Sequence, residues 1–133
     1  MSTKEDQNFL DSRLGDFNLD QVPATQKDHL IPFSYCFKDQ WAIVAGINAE
    51  MYFWNIVYIS ILFVDNAYRH KNLGSSLLEK VETEAKARDA KLVHLDTFDF
   101  QAKDFYLQHG YEIFGILDDC PKGHKRYYLK KNL

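Results

Sequence analysis

Cysteine is scarce in this chain, and the two present, Cys36 and Cys120, match no metal-ligand spacing and form no disulfide framework. A reducing cytoplasm is the expected setting. Long apolar runs are missing: no window approaches the roughly 20 residues of a membrane span. The opening MSTKEDQNFL lacks the apolar stretch of a signal peptide. Positive charge is not in excess either. The net charge is −3 and the pI near 5.9, which argues against nucleic acid as a main partner. Internal repeats and low-complexity segments are absent. What is present is apolar bulk: 46% hydrophobic and 15% aromatic residues in 133 positions. That suits one domain, residues 1–133, with a real core and no disorder beyond its ends.

Residues 1–28 are the polar part. Lys4 to Leu14 reads as a short helix with Phe9, Leu10 and Leu14 on one face and Gly15 as its stop. Asp16 to Lys27 reads as irregular. After Pro32 the pattern becomes β-like. Phe33–Phe37 and Trp41–Ile47 read as strands joined by a Lys38-Asp39-Gln40 turn, with Ala45-Gly46 marking a bulge or a close approach. Asn48-Ala49-Glu50 reads as the next turn. Asn55–Val64 reads as a central strand buried on both faces, since Ile59, Ile61, Leu62, Phe63 and Val64 are apolar on successive positions. Tyr52-Phe53-Trp54 reads as core or dimer contact, or as the mouth of an apolar cleft.

Leu73–Arg88 is the clearest helix. Leu73, Leu77, Leu78, Val81 and Ala85 share one face, and Glu82–Lys86 and Glu84–Arg88 are spaced for ion pairs on the other. A strand at Lys91–Thr97, an FDFQ turn and a helix from Gln101 to His109 follow, the helix closed by Gly110. Tyr111–Leu117 and Lys125–Leu129 are the last strands. The basic residues Lys125, Arg126, Lys130 and Lys131 read as a solvated edge and tail, with a polyanion site as a lesser reading. The order predicts an α/β, or α+β, fold: a mixed sheet with a parallel crossover between Tyr58 and Thr97 and helices packed on it.

One stretch is a physical device. A strand at Tyr58–Val64 feeds a basic turn, Arg69-His70-Lys71-Asn72, and a helix opening at Gly74. Such a junction aims free N–H groups and the positive end of a helix dipole at one point, which suits a phosphate. Asn72 can adopt the left-handed conformation, Gly74 allows close approach, and Ser75 and Ser76 add hydroxyls. An ordinary basic loop with a glycine for tight packing is the competing reading. The phosphate loop G-x-x-x-x-G-K-[ST] and the dinucleotide fingerprint G-x-G-x-x-G are both absent.

Arg69-His70-Lys71-Asn72-Leu73-Gly74 resembles the R/Q-x-x-G-x-G/A cofactor signature of the GNAT superfamily of N-acetyltransferases, with Asn72 in place of the first glycine. Asp99-Phe100-Gln101-Ala102-Lys103-Asp104-Phe105-Tyr106, then His109-Gly110-Tyr111, resembles that superfamily's N-x-x-A-x-x-x-Y…G-F/Y signature, with Asp99 in place of asparagine. The resemblance spans roughly Trp41 to Leu129. It is closest to small bacterial members without an assigned substrate.

The resemblance implies a fold with two central parallel strands that splay apart, here with a truncated N-terminal part. It implies acetyl-CoA as co-substrate, no metal, and transfer of the acetyl group to a primary amine by direct attack. Pantetheine would lie along the backbone of Leu62, Phe63 and Val64. The pyrophosphate would sit on the N–H groups of His70, Lys71, Asn72, Leu73, Gly74 and Ser75, with Arg69 supplying charge beside them. Asp99, Ala102 and Phe105 complete the cofactor side. Tyr106 would be the general acid facing the sulfur, against its plain reading as a packing aromatic beside Phe105. For the general base the candidates are Asp96, His94, Tyr58 and Glu50, with Asp96 ranked first; His94 also reads as merely solvated. A small-molecule amine is the expected acceptor and a homodimer a possible assembly. A non-catalytic acyl-CoA-binding module and a protein lysine or N-terminal acetyltransferase are the rival readings.

Overall fold

The computed structural model describes residues 1–133. Helix α1 spans Lys4–Gln21. It starts where Thr3 and Asp6 cap each other: the Thr3 hydroxyl accepts from the Asp6 N–H at 3.0 Å, and the Asp6 carboxylate accepts from the Thr3 N–H at 2.7 Å. The expected stop at Gly15 does not occur. Gly15 is absent from the positive-φ residues of the chain, and one interior glycine costs only about 1 kcal/mol against alanine. The helix ends instead at Val22, extended at φ −133° and ψ 105°, because the following Pro23 disfavours helical geometry before it. The stretch expected to be irregular therefore contributes its first half, Asp16–Gln21, to α1.

Strands β1 (Leu30–Asp39), β2 (Ala42–Tyr52) and β3 (Ile56–Val64) form the expected antiparallel meander. The Asn48-Ala49-Glu50 turn is not there. These residues lie inside β2, where exposed Asn48 and Glu50 alternate with buried Ala49 and Met51. The reversal comes at Phe53–Asn55, with Phe53 and Asn55 at positive φ. A register shift after Asn48 marks the bulge in this pair. Both expected features occur at Ala45-Gly46: the β1–β2 register shifts beside Ala45, where Phe37 pairs with Ala45 and Lys38 with Ile43, and Gly46 is a close approach, since a Cβ there would sit 3.3 Å from the Tyr35 carbonyl oxygen.

Helix α2 (Leu73–Ala87) buries Leu77, Leu78, Val81 and Ala85. Strand β4 (Leu92–Phe98) pairs parallel with β3, and a short helix α3 (Lys103–Gln108) closes at Gly110, φ +88°. Strands β5 (Glu112–Asp118) and β6 (Lys125–Asn132) complete one six-stranded sheet in the order β1-β2-β3-β4-β6-β5. The sheet is mixed, as expected for an α/β chain.

The last strand lies inside the sheet, between β4 and β5, and not at a solvated edge. Each of its four cations has found a carboxylate: Arg126–Asp96 at 2.6 Å, Lys131–Glu82 at 2.7 Å, Lys125–Asp118 at 3.0 Å and Lys130–Glu112 at 3.8 Å. Glu82 is thereby taken from Lys86, and it also accepts from the Tyr111 hydroxyl at 2.8 Å. The helix-surface pair that forms is Lys80–Glu84 at 2.7 Å. At Glu82 long-range partners outcompete the local i,i+4 geometry, which contributes only about 0.2–0.5 kcal/mol, whereas Glu84 exchanges Arg88 for another i,i+4 partner and also accepts from the Tyr35 hydroxyl.

The core lies between α2 and the sheet. Leu78, Val81, Val57, Val93, Leu95, Ile47 and Leu129 are all shielded from solvent there. Leu78→Ala should cost about 2–5 kcal/mol by leaving a cavity at the α2–sheet contact. Urea unfolding of the purified variant measures it, with the midpoint falling at unchanged slope.

Candidate active site

β3 and β4 begin as neighbours and then part. Their pairing runs from Ile56↔Leu92 to Ile59↔Leu95 and stops, although β3 continues to Val64 and β4 to Phe98. β2 remains on the outer side of β3 and β6 on the outer side of β4. The facing edges beyond Ile59 and Leu95 have no strand between them. Ile61 and Phe63 are consequently 53% and 55% exposed, where burial on both faces was expected. Their apolar character belongs to the wall of an opening and not to the core.

That opening is a cleft of about 840 Å³. It gathers most of the residues singled out from sequence: Leu62, Phe63, Val64, Arg69, His70, Gly74, Asp96, Asp99, Ala102, Phe105 and Tyr106 line it. Lys71, Asn72, Leu73 and Ser75 are not among its lining. Lys71 lies over the Tyr68 ring at 5.1 Å, Leu73 packs against the core, and the Ser75 hydroxyl is 3.0 Å from His109 Nε2. The phenyl ring of Phe105 stands against Gly74, 3.5 Å from where a Cβ would be.

The turn ahead of α2 has an unusual backbone. His70 and Asn72 are both left-handed, at φ 66° and 60°, and Asn72 is the residue just before the helix. Six consecutive backbone N–H groups, His70 to Ser75, find no acceptor within the chain; the first inward bond is from the Ser76 N–H to the Asn72 carbonyl at 3.0 Å. Four of the six, Asn72 to Ser75, are the orphan donors of any helix start. The other two, His70 and Lys71, lie in the turn that the two left-handed residues shape. Such a run has the geometry that can cradle an anion. Arg69 adds charge, its Nε held 3.3 Å from the Val64 carbonyl.

Tyr106 is 5% exposed, wedged by its α3 backbone between Phe105 and Tyr111 rings 5.3 and 5.6 Å away. No group in the chain accepts a bond from its hydroxyl, yet no buried polar atom is left unsatisfied, so the hydroxyl opens into the cleft. Burial, with the nearby Asp96 charge, pushes this phenol up to about 12.

Asp96 lies on the other wall of the cleft. Its Oδ1 accepts from Arg126 Nε at 3.0 Å and Nη2 at 2.6 Å, and its Oδ2 accepts from the Tyr58 hydroxyl at 3.1 Å. His94, one position down the same face, bonds the Tyr52 hydroxyl at 2.9 Å. Glu50 stands opposite Tyr58 in register and is exposed. Asp99 lines the cleft with its carboxylate already engaged: His124 Nδ1 at 2.9 Å and the Lys125 N–H at 2.8 Å. The Lys125 backbone bond and the His124 contact hold its carboxyl below the usual value.

Sequence reasoning missed three residues. Gln101 accepts from the Phe98 N–H at 2.7 Å and the Thr97 hydroxyl at 3.1 Å, shaping the turn that carries Ala102. Its spacing three residues after Phe98 was the available signal. Phe100, 60% exposed at the cleft rim and stacked on Phe98 at 5.3 Å, had none beyond being aromatic in a turn. Arg126 was invisible as a site residue because its partner comes from a strand 30 residues earlier.

Residues 5–111 match the model of the acetyltransferase (GNAT) family. A blasticidin-S acetyltransferase from Streptomyces morookaense is 32% identical over 101 residues, covering 75% of this chain and 74% of that protein. The crystal structure of an acetyltransferase from Bacillus cereus superposes over all of this chain and 95% of its own, with a TM-score of 0.91 and 32% identity. An aminoglycoside 6′-N-acetyltransferase complexed with coenzyme A shares the fold at 17% identity, with a TM-score of 0.65 over 99% of this chain and 95% of its own.

Burial pushes the His94 imidazole below its ordinary value, and the Asp96 charge opposes this only in part. The unfolded chain then binds this proton more readily than the folded one. The contribution is absent well above about pH 6.5 and becomes a loss of stability as pH falls through that value and below. His94→Gln should therefore flatten the decline in melting temperature between about pH 7 and about pH 5, measured by calorimetry in matched buffers.

Proposed function

The chain belongs to the GNAT acetyltransferase family, and on that premise we propose that it moves the acetyl group of acetyl-CoA to the primary amine of a small molecule. One observation carries the reading. A run of six unpaired backbone N–H groups reaches one end of a cleft through His70 and Gly74, and the wall of that cleft also holds a buried tyrosine with an unpartnered hydroxyl. An anion at the cradle and a group in need of a proton donor at Tyr106 are what that arrangement is suited to take. The names of the blasticidin-S and aminoglycoside enzymes support a small-molecule amine as acceptor. A cytoplasmic setting goes with that reading.

The residues fit acetyl-CoA, which supplies the thioester when bound. The six N–H groups of His70–Ser75 and the Arg69 charge would hold the pyrophosphate. The open edge of Leu62, Phe63 and Val64 offers main-chain pairing to an extended amide chain. A main-chain N–H at Phe63 or Val64 would stabilise the carbonyl oxygen as it gains charge. Asp99, Ala102 and Phe105 form the opposite side.

Tyr106 is the proposed general acid. A phenol near 12 stays protonated at neutral pH. Against a thiol near 8.5, full proton transfer from it is uphill by about 5 kcal/mol. A hydrogen bond from the phenol to the departing thiolate is therefore its contribution, and the thiolate takes a full proton only as the proton shed by the amine makes the phenol's loss good. Asp96 is the proposed proton acceptor, acting through water. Arg126 saturates Oδ1, which leaves Oδ2, shared only with Tyr58, as the oxygen turned toward a proton. The same carboxylate attracts a cationic amine before it reacts.

Two outcomes test this. Acetyl-CoA at 100 times its Kd should stabilise the fold by about 2.7 kcal/mol; an unmoved thermal melt with both CoA and acetyl-CoA removes the reading. Across an amine panel, Tyr106→Phe should lower kcat by about 10²-fold or more while leaving the acetyl-CoA melt shift intact. A variant that turns over normally sinks Tyr106 as the acid.

A further inference from the structure

An apolar stripe on one helix and one whole face of the sheet have no partner within the chain. The first is α1, none of whose residues is buried. Phe9, Leu10, Leu14 and Phe17 are 62%, 62%, 61% and 58% exposed. At about 100° per residue they fall, with Arg13 among them, on one stripe about 140° wide. The helix touches its own molecule elsewhere, where Gly15 lies against Phe53. An isolated helix of this length is marginal in water, and amphipathic packing is what normally stabilises one.

The second surface is the sheet face turned away from α2. Contacts trace it from edge to edge: Leu30 beside Tyr52, Tyr52 bonded to His94, Tyr58 to Asp96, Asp96 to Arg126, and Tyr128 against Phe114. No helix of this chain lies on it. A parallel pair such as β3–β4 is ordinarily covered on both faces. Here α2 covers one. The segment after α1 is fastened instead to the β2–β3 turn, through Trp54 Nε1 to the Val22 carbonyl at 2.9 Å and the Thr25 N–H to the Phe53 carbonyl at 2.9 Å.

We propose that a second copy of this chain covers that face, with α1 of each protomer lying across the helix-free sheet face of the other. The dimensions agree. An 18-residue helix is about 27 Å long, and six strands at their usual spacing are about 24 Å across. At about 200 Å² for a full side chain, the exposed parts of the four stripe residues offer about 450–500 Å² per copy. Two such helices and the surfaces they cover bury about 1,900 Å², inside the range of stable interfaces. The exchanged helix would roof Tyr58 and Asp96, so each acceptor side is closed by the other protomer.

The pairing does not rest on acetyl transfer, and its readout is mass. Light scattering at micromolar concentration should give a dimer for the wild type. Leu10→Glu with Leu14→Glu should give a monomer with unchanged sheet circular dichroism and an unchanged acetyl-CoA melt shift. All four stripe residues are exposed in the protomer, so its fold does not need them. Leu30→Glu with Phe114→Glu, on the receiving face, should weaken the dimer at least tenfold. A monomeric wild type overturns the proposal and leaves the stripe to a different protein. A dimer broken by the helix variant but untouched by the face variant overturns it too, since α1 would then pair elsewhere.

Discussion

The parting of β3 and β4 after Ile59 and Leu95 is the constraint on which the rest depends. Two strands that stay paired leave no room between them and no unpaired edge. Two that part leave backbone groups facing open space, which is costly unless water or a ligand meets them. The chain supports the gap from outside: β2 grips β3 as far as Val64, and β6 grips β4 as far as Phe98. The wedge is thus a rigid feature of the sheet. It lets main chain, cradle, Tyr106 and Asp96 face a common volume though they come from four separate elements.

The cleft also sorts charge. At one end the backbone presents N–H groups and Arg69, with no carboxylate bonded to them. At the other, Asp96 is a carboxylate tied to Arg126 and Tyr58. An anion and a cation entering together are drawn to different ends. Burial keeps Tyr106 protonated between them, and the Asp96 charge reinforces that by opposing a second anion nearby. Tyr111, bonded to Glu82, is pushed up for the same two reasons, but it faces the core and serves only to anchor α2.

Much of this was legible in the chain. The strand–turn–helix around Arg69–Gly74 and the Asp99–Tyr111 segment carry their geometry locally, in a residue able to turn left-handed, a glycine and a helical period. Their meeting in one cleft was expected only from the family resemblance. What escaped was set by distant partners. The β3 residues Ile61 and Phe63 read as core because apolar side chains are the same letters in a core and in a cleft. Arg126 read as a surface cation because its partner lies on β4. Asn48 and Glu50 read as a turn because polarity marks both loops and the wet side of a strand. Gly15 read as a stop although only a left-handed backbone there would have made it one.

The position of β6 has a consequence for how the molecule comes into being. It is the last strand in chain order, yet it sits between β4 and β5, fixing Asp96 through Arg126 and α2 through Lys131 and Glu82. During synthesis the meander, α2 and β4 leave the ribosome first and can begin to collapse. They do so with β4 lacking one neighbour and Asp96 lacking its counter-ion. The sheet can close only when β6 itself has emerged. A chain that stops short of β6 therefore carries both sequence signatures and leaves Asp96 without Arg126.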